Sequence, residues 1–273
     1  MSLNDVQIHP SSLVETGAKL DVGVKIGPFC HVGANVTLGR GTVLHSHAVV
    51  VGYTELGQNN QIYPFASVGT APQDLKYKGE ATTLKIGDSN LIREGVTLQP
   101  GTVQGGGKTL IGNQNLFMAY THVAHDCVVG NENILANTAQ LAGHVVLGNG
   151  TIISAHSGVH QFCRVGDYGM SAAGAMVVQD VAPYCLVHGD RAKLAGLNVV
   201  ALKRRGFSPE AIVAVRAAYK LLFFSGATSI DEAVAKISQQ QLLAFPEVEK
   251  LVSFVQASKR GVCRPDSNTK EGE

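Results

Sequence analysis

The chain has 273 residues and a formal net charge of +1, so no global field points to nucleic acid and any charged partner has to be met by a local patch. Only 16% of residues are charged, glycines number 31 and tryptophan is absent, a composition that suits a turn-rich regular β-architecture rather than a helical one. No apolar run is long enough to span a bilayer, Met1 to Ile8 carries no apolar signal core, and Cys30, Cys127, Cys163, Cys185 and Cys263 form no CxxC pair; the expectation is a cytoplasmic protein without stable membrane insertion, its thiols reduced and core-filling.

From Ile8 a hydrophobic beat recurs every six residues through Val14, Leu20, Ile26, Val32, Leu38, Leu44, Val50, Leu56, Ile62 and Val68. It resumes at Ile86, Ile92 and Leu98, then runs from Ile111 by sixes to Val177 with Ser171 as its one polar member. Neither the helical period of 3.6 nor strand alternation alone gives a six-residue repeat, whereas a parallel β-helix does. Gly-Asn pairs after the aliphatic residue (Gly112-Asn113, Gly130-Asn131, Gly148-Asn149) suit corners between short strands.

Two segments interrupt the beat. Between Val68 and Ile86 the pattern blurs although the gap, eighteen residues, keeps the register; between Leu98 and Ile111 lie twelve residues instead of five. Loops 69–85 and 99–110 are therefore expected to project from the scaffold, where ligands are commonly met. After Val177 the beat stops and residues 181–198 read as irregular. Ser208-Pro209-Glu210 opens a helix that stops by Gly226, Ser229 opens a second, and Pro246-Glu247 a third that ends near Gly261. The predicted organisation is a β-helix over 1–190, a small helical domain over 191–262 and a disordered tail over 263–273.

The chemistry concentrates between His122 and Gln161, which hold five of the ten histidines. If three hexads make one coil, His125, Gly143 and Gln161, eighteen residues apart, lie one above another. A histidine beside a carboxylate, His125-Asp126, can serve as a general base, and a glycine overhead can offer a bare N–H to an oxyanion. Two solvent-facing polar residues and a turn glycine account for the same letters. His122 with His125, completed by a neighbouring subunit, is a possible zinc set of the kind used by trimeric carbonic anhydrases. The Gly105-Gly106-Gly107-Lys108-Thr109 run is not a phosphate loop, because that motif's first glycine falls on Thr102 and no helix follows. Lys203-Arg204-Arg205, with Arg191, Lys193, Arg216 and Lys220, forms a basic patch suited to pyrophosphate or an acidic carrier, or is a solvated helix face.

The strings Q-D-L-K-Y (73–77), P-G-T-V-Q-G-G-G (100–107), H-V-A-H-D-C (122–127), L-A-G-H-V (141–145), V-H-Q-F-C (159–163) and L-K-R-R-G-F (202–207) resemble the UDP-N-acetylglucosamine O-acyltransferases that begin lipid A synthesis. The resemblance implies a left-handed β-helix, a homotrimer with active sites between subunits, and no cofactor beyond the phosphopantetheine of acyl carrier protein. It implies that His125 deprotonates the glucosamine 3-hydroxyl with Asp126 in support, and that the Gly143 N–H holds the oxyanion. Gln73, Asp74, Leu75, Lys76 and His122 would position sugar or phosphates, and loop 69–85 would serve a neighbour's site. His144 and Gln161 would line acyl and nucleotide contacts, while His160, Asn198, Arg204 and Arg205 would bind the nucleotide or the donor arm. Acyl carrier protein would dock on the basic helical surface. An N-acyltransferase acting on an amino-sugar nucleotide would show the same base and oxyanion site. One departure concerns Asn137, Ala155 and Ala173, stacked at eighteen-residue intervals: relatives that take long hydroxyacyl chains are glycine-rich at the last two. Alanine there, with Met170 close by, predicts a donor shorter than the fourteen-carbon type. Val200 replaces an acid that some relatives carry.

Overall fold

The computed structural model describes residues 5–226 and 228–266. Short strands, most of two residues, stack into three parallel sheets that form the walls of a prism. The first wall runs from Gln7–Ile8 to Met170–Ser171, the second from Leu13–Val14 to Met176–Val177, and the third from Lys19–Leu20 to Arg164–Val165. Each regular coil takes eighteen residues: Val123 pairs with Leu141 on the second wall, and Leu141 in turn with Val159. The six-residue beat is the inward position of every strand. Its residues are buried from Ile26 onward, whereas Ile8, at the open end of the prism, is 46% exposed. A coil of two-residue strands cannot bury this core alone, so stability comes from stacking. Ser171, the polar exception, stays buried with its hydroxyl accepting a hydrogen bond from Ser154 N–H at 3.2 Å.

The corners explain the Gly-Asn signal. The third residue of a corner takes the left-handed region even when it is not glycine, as at Thr138, Asp126, His144 and Phe162 (φ 60–64°). At the edge between the third and first walls, buried asparagines form a ladder. Asn60 Oδ1 accepts from Asn90 N and Nδ2, Asn90 Oδ1 from Asn115 N and Nδ2, and Asn115 Oδ1 from Asn133 N. Backbone groups that a corner would otherwise leave unpaired inside the prism are thereby satisfied.

Both interruptions leave from one edge, between the second and third walls. Val68 pairs with Leu98 and Leu56 with Ile86. Residues 69–82, between Val68 and the strand Thr83–Ile86, are thus a single enlarged corner, not a full coil. The next corner, from Leu98 to Ile111, is enlarged as well, and His125 sits on the corner directly above it.

Above the prism the sequence reading needs correction. Residues 181–198, expected to be irregular, contain an antiparallel pair, Cys185–His188 with Lys193–Leu197, which extends the first wall. A short helix α1 (Val199–Arg204) precedes the expected ones, so Lys203 and Arg204 lie in a helical last turn, where cations are favoured. Helices α2 (Pro209–Phe223), α3 (Ile230–Gln239) and α4 (Pro246–Gln256) follow, with Ser208 and Ser229 accepting from Ala211 N and Glu232 N as N-caps. Lys250 of α4 reaches Asp167 at 2.5 Å, and Ser258 reaches the buried Asp180 at 2.8 Å, fastening the helices to the last coils. The tail expected to be disordered is anchored at its start, with Cys263 N–H donating to Asp180 O at 2.8 Å; positions 267–273 lie outside the described residues. All five cysteines are buried and unpaired, and burial pushes the Cys127 thiol up to about 12. No helix among the described residues is long and apolar enough to cross a membrane.

Candidate active site

The eighteen-residue spacing places His125, Gly143 and Gln161 as the second residue of three successive corners on the second–third edge. His144 N–H donates to His125 O at 3.0 Å, and Phe162 N–H to Gly143 O at 3.2 Å. The His125 ring lies flat against Gly143: a Cβ built on residue 143 would fall 2.6 Å from His125 Cε1 and 2.9 Å from Nε2. Gly143 lies outside the left-handed region, so space rather than backbone freedom requires glycine there. Its N–H has no acceptor among the described residues. Prolines at positions 10, 28 and 64 hold the same corner position elsewhere, where the N–H points outward and can be dispensed with.

Hydrogen bonding fixes the His125 tautomer. Nδ1 lies 2.8 Å from Asp126 Oδ2, and an ionised carboxylate only accepts, so Nδ1 carries the proton and the Nε2 lone pair faces the cleft. The Asp126 side chain is 1% exposed. Its Oδ1 also accepts from Thr102 N–H at 2.9 Å and its Oδ2 from the Thr102 hydroxyl at 2.6 Å. Asp126 N–H donates to Thr109 Oγ1 at 2.8 Å.

Around this pair, His144 meets His125 edge-on at 5.3 Å and stacks on Phe162 at 4.4 Å. His122 takes the outward position of the second wall, its Nδ1 2.6 Å from Thr97 Oγ1. Burial first, and the nearby His125 charge second, hold its pKa below the ordinary 6.5. Gln73 N–H donates to Gln99 Oε1 at 3.1 Å, which folds the loop bearing Asp74, Leu75 and Lys76 over one side of the site. A groove of about 480 Å³ climbs the second wall from Gln99 and His122 past His125 and Gly143 to His160, Met176 and Val178. Its floor is a column the sequence reading overlooked: His122, Gln140, Gly158 and Met176, each eighteen residues from the last and paired in register. The same arithmetic that aligned His125 with Gly143 would have found it. Thr102, inside an enlarged corner, had no such signal.

Within one chain, then, Gln73, Asp74, Leu75, Lys76, His122, His125, Asp126, Gly143, His144, His160 and Gln161 converge. Other expected residues do not join them. Asn137 and Ala155 lie on the first–second edge, where their carbonyls accept from His156 and Gly174, with Ala173 on the coil above. Met170 faces Asn198, whose Nδ2 is 3.8 Å from its sulfur. Arg205 pairs with Glu132 and lies over the Tyr168 ring on the third–first edge, next to Arg204 at the end of α1. The zinc reading changes too. His122 is tied to Thr97, and the group whose ligand atoms lie within 4.8 Å of one another is His125, Asp126 and His144.

Residues 180–263 match the family model described as UDP N-acetylglucosamine O-acyltransferase, domain 2. The structure of LpxA from Acinetobacter baumannii is 45% identical over 94% of this chain and 99% of that one, with a TM-score of 0.91. The UDP-N-acetylglucosamine O-acyltransferase of Moraxella catarrhalis is 46% identical over 94% of this chain and 99% of its own, also at 0.91. The Arabidopsis UDP-N-acetylglucosamine acyltransferase is 37% identical, covered over 94% and 100%, at 0.84. The chain belongs to the UDP-N-acetylglucosamine O-acyltransferase family.

Proposed function

We propose that the chain transfers an acyl group from acyl carrier protein to the 3-hydroxyl of UDP-N-acetylglucosamine, the first step of lipid A biosynthesis, in the cytoplasm. The observation that carries this is the His125 ring lying against Gly143, a groove residue whose N–H has no acceptor among the described residues. His125 Nε2 takes the hydroxyl proton as the sugar oxygen attacks the thioester carbonyl carbon. The carbonyl electron pair moves to oxygen, where the Gly143 N–H stabilises it. Collapse of the tetrahedral intermediate expels the pantetheine thiolate, which recovers the proton from His125. Asp126 holds the imidazole in the tautomer that this requires, and the reaction as written draws on no metal or further cofactor. Replacing His125 by Ala is expected to lower kcat about 10²-fold or more while UDP-N-acetylglucosamine binding by calorimetry stays near wild type. Full turnover in that variant contradicts the mechanism; turnover of a 3-amino analogue in preference to the 3-hydroxyl sugar contradicts the substrate.

The assembly we propose is a homotrimer with each site between subunits. Residues suited to one substrate are split in a single chain between the His125 edge and the edges carrying Asn198, Arg204 and Arg205 or Asn137, Ala155 and Ala173. Self-association is supported by Leu75, 96% exposed at a loop tip, and by Phe29, Phe65 and Tyr120, each more than 60% exposed along the first–second edge. Light scattering should give three chain masses, and a monomeric active species contradicts the shared site. Acyl carrier protein would dock near the groove's upper end and the basic residues of α1 and α2. On the acyl-length reading, Ala173→Gly lengthens the preferred donor, and a wild-type optimum at fourteen carbons or longer rejects it.

A zinc enzyme is the second reading, favoured by the His125, Asp126 and His144 cluster. The Asp126 oxygens already accept hydrogen bonds from Thr102 and His125. Stoichiometric zinc in purified protein, with activity lost on chelation, would favour this reading instead.

A further inference from the structure

We infer that Thr102 is a positioning residue for the general base, and that the enlarged corner 99–107 serves to carry its hydroxyl to Asp126; this rests on the reading of His125 as base. Val123 lies over Leu98 and Val129 over Ile111, so the corner beneath His125-Asp126 is the one lengthened between Leu98 and Lys108. A regular corner there would offer Asp126 only the stacking contacts of any other rung. The longer one delivers two donors to a carboxylate whose side chain is 1% exposed.

The direction of each bond is fixed. Thr102 Oγ1 accepts from Gly105 N–H at 3.2 Å, so its own proton is turned to Asp126 Oδ2 at 2.6 Å. Oδ2 receives that proton and the His125 Nδ1–H side by side, while Thr102 N–H holds Oδ1. The carboxylate is thus gripped at both oxygens and cannot rotate away from the imidazole without leaving a buried donor unpaired. Gly105 closes the clamp from the other side. A Cβ at 105 would fall 2.0 Å from Asp126 Cγ, although the residue lies outside the left-handed region and its backbone would tolerate alanine. The hydroxyl is not what closes the turn, because Gly105 N–H and Gly107 N–H both reach Thr102 O, at 3.0 and 2.8 Å. Removing the hydroxyl therefore leaves the loop framed while releasing the carboxylate.

The test is Thr102→Val beside Thr102→Ser, each in the wild-type and the Asp126→Asn background. Thr102→Val is expected to lower kcat at least about tenfold with the KM for UDP-N-acetylglucosamine and Tm near wild type, and Thr102→Ser to restore it. In the Asp126→Asn background Thr102→Val should cost nothing more, because the group it acts through has gone. Proton–nitrogen NMR of His125 gives an arm independent of turnover: its Nδ1–H signal should broaden or vanish in Thr102→Val and persist in Thr102→Ser. Unchanged kcat and an unchanged Nδ1–H signal overturn the inference, as does an equal loss in both backgrounds. Should Thr102→Val fail to fold, Gly105→Ala is read by the same two measurements, with loss supporting the clamp and wild-type behaviour refuting it. A wild-type protein that does not turn over acyl carrier protein thioesters refutes the acyltransferase reading alone, since the NMR arm still decides the clamp.

Discussion

Two edges of the prism use the same corner position for opposite ends. On the third–first edge the second corner residue is Asn113, Asn131, Asn149 or Asp167 on successive coils. Each side-chain oxygen accepts the N–H of its counterpart one coil below, at 2.7–2.9 Å, Asn113 taking that of Asp88. On the second–third edge that position holds His125, Gly143 and Gln161, and among the described residues no side chain takes the Gly143 N–H. One edge closes its ladder and gains stability from it; the other leaves a peptide dipole facing outward beneath a groove. The proposed oxyanion donor is thus a corner N–H without the side-chain acceptor that the third–first edge supplies, a local departure of the kind expected at active sites.

The comparison can be broken from both sides. Gly143→Ala should have the largest effect, because its Cβ displaces the His125 ring while leaving the N–H in place. A loss of kcat of about 10²-fold or more is expected, with Tm close to wild type. A somewhat smaller effect is expected from Gln161→Asn, which gives the active edge the acceptor of the structural one. If its carboxamide caps the Gly143 N–H, Gln161→Asn loses more kcat than Gln161→Ala while its Tm rises or holds. The reverse order would mean that Gln161 acts only through its own contacts. Opening the structural edge should spare the chemistry. Asn115→Ala removes the acceptor for Asn133 N–H and the donors to Asn90 and Gly130. Denaturation should show roughly 1–3 kcal/mol less stability with kcat little changed where the protein is folded.

The smallest effect concerns pH. His122 is held below 6.5 in the fold by burial and then by the His125 charge, so the unfolded chain takes up its proton first as pH falls. The stability of the neutral form is fully present above that value and is lost below it. Tm should therefore fall further between about pH 7 and about pH 5 in the wild type than in His122→Gln. An equal fall in both removes His122 from the account.

Much of this was legible in the residues because a stacked repeat converts sequence spacing into spatial position. The inward beat located the core, and steps of eighteen located the His125, Gly143 and Gln161 column. The His122, Gln140, Gly158 and Met176 column is equally legible by the same step of eighteen. Other parts carry no period. Helix α1 spans six residues, too short for a helical pattern to emerge, and Cys185–His188 pairs with a strand containing Gly196, which weakens any alternation. Thr102 reaches Asp126 through a loop whose path no spacing encodes. Where Asn198, Arg204 and Arg205 stand relative to His125 depends on which edge each occupies, and a single linear register does not express that.

The most direct test of the central claim is a structure of the assembled protein with UDP-N-acetylglucosamine and an unreactive thioether analogue of the acyl donor. The account predicts the sugar 3-hydroxyl oxygen within about 3.2 Å of His125 Nε2, and the analogue's carbonyl oxygen on the Gly143 N–H. A sugar bound along another edge of the prism, or a carbonyl oxygen turned away from residue 143, would contradict it.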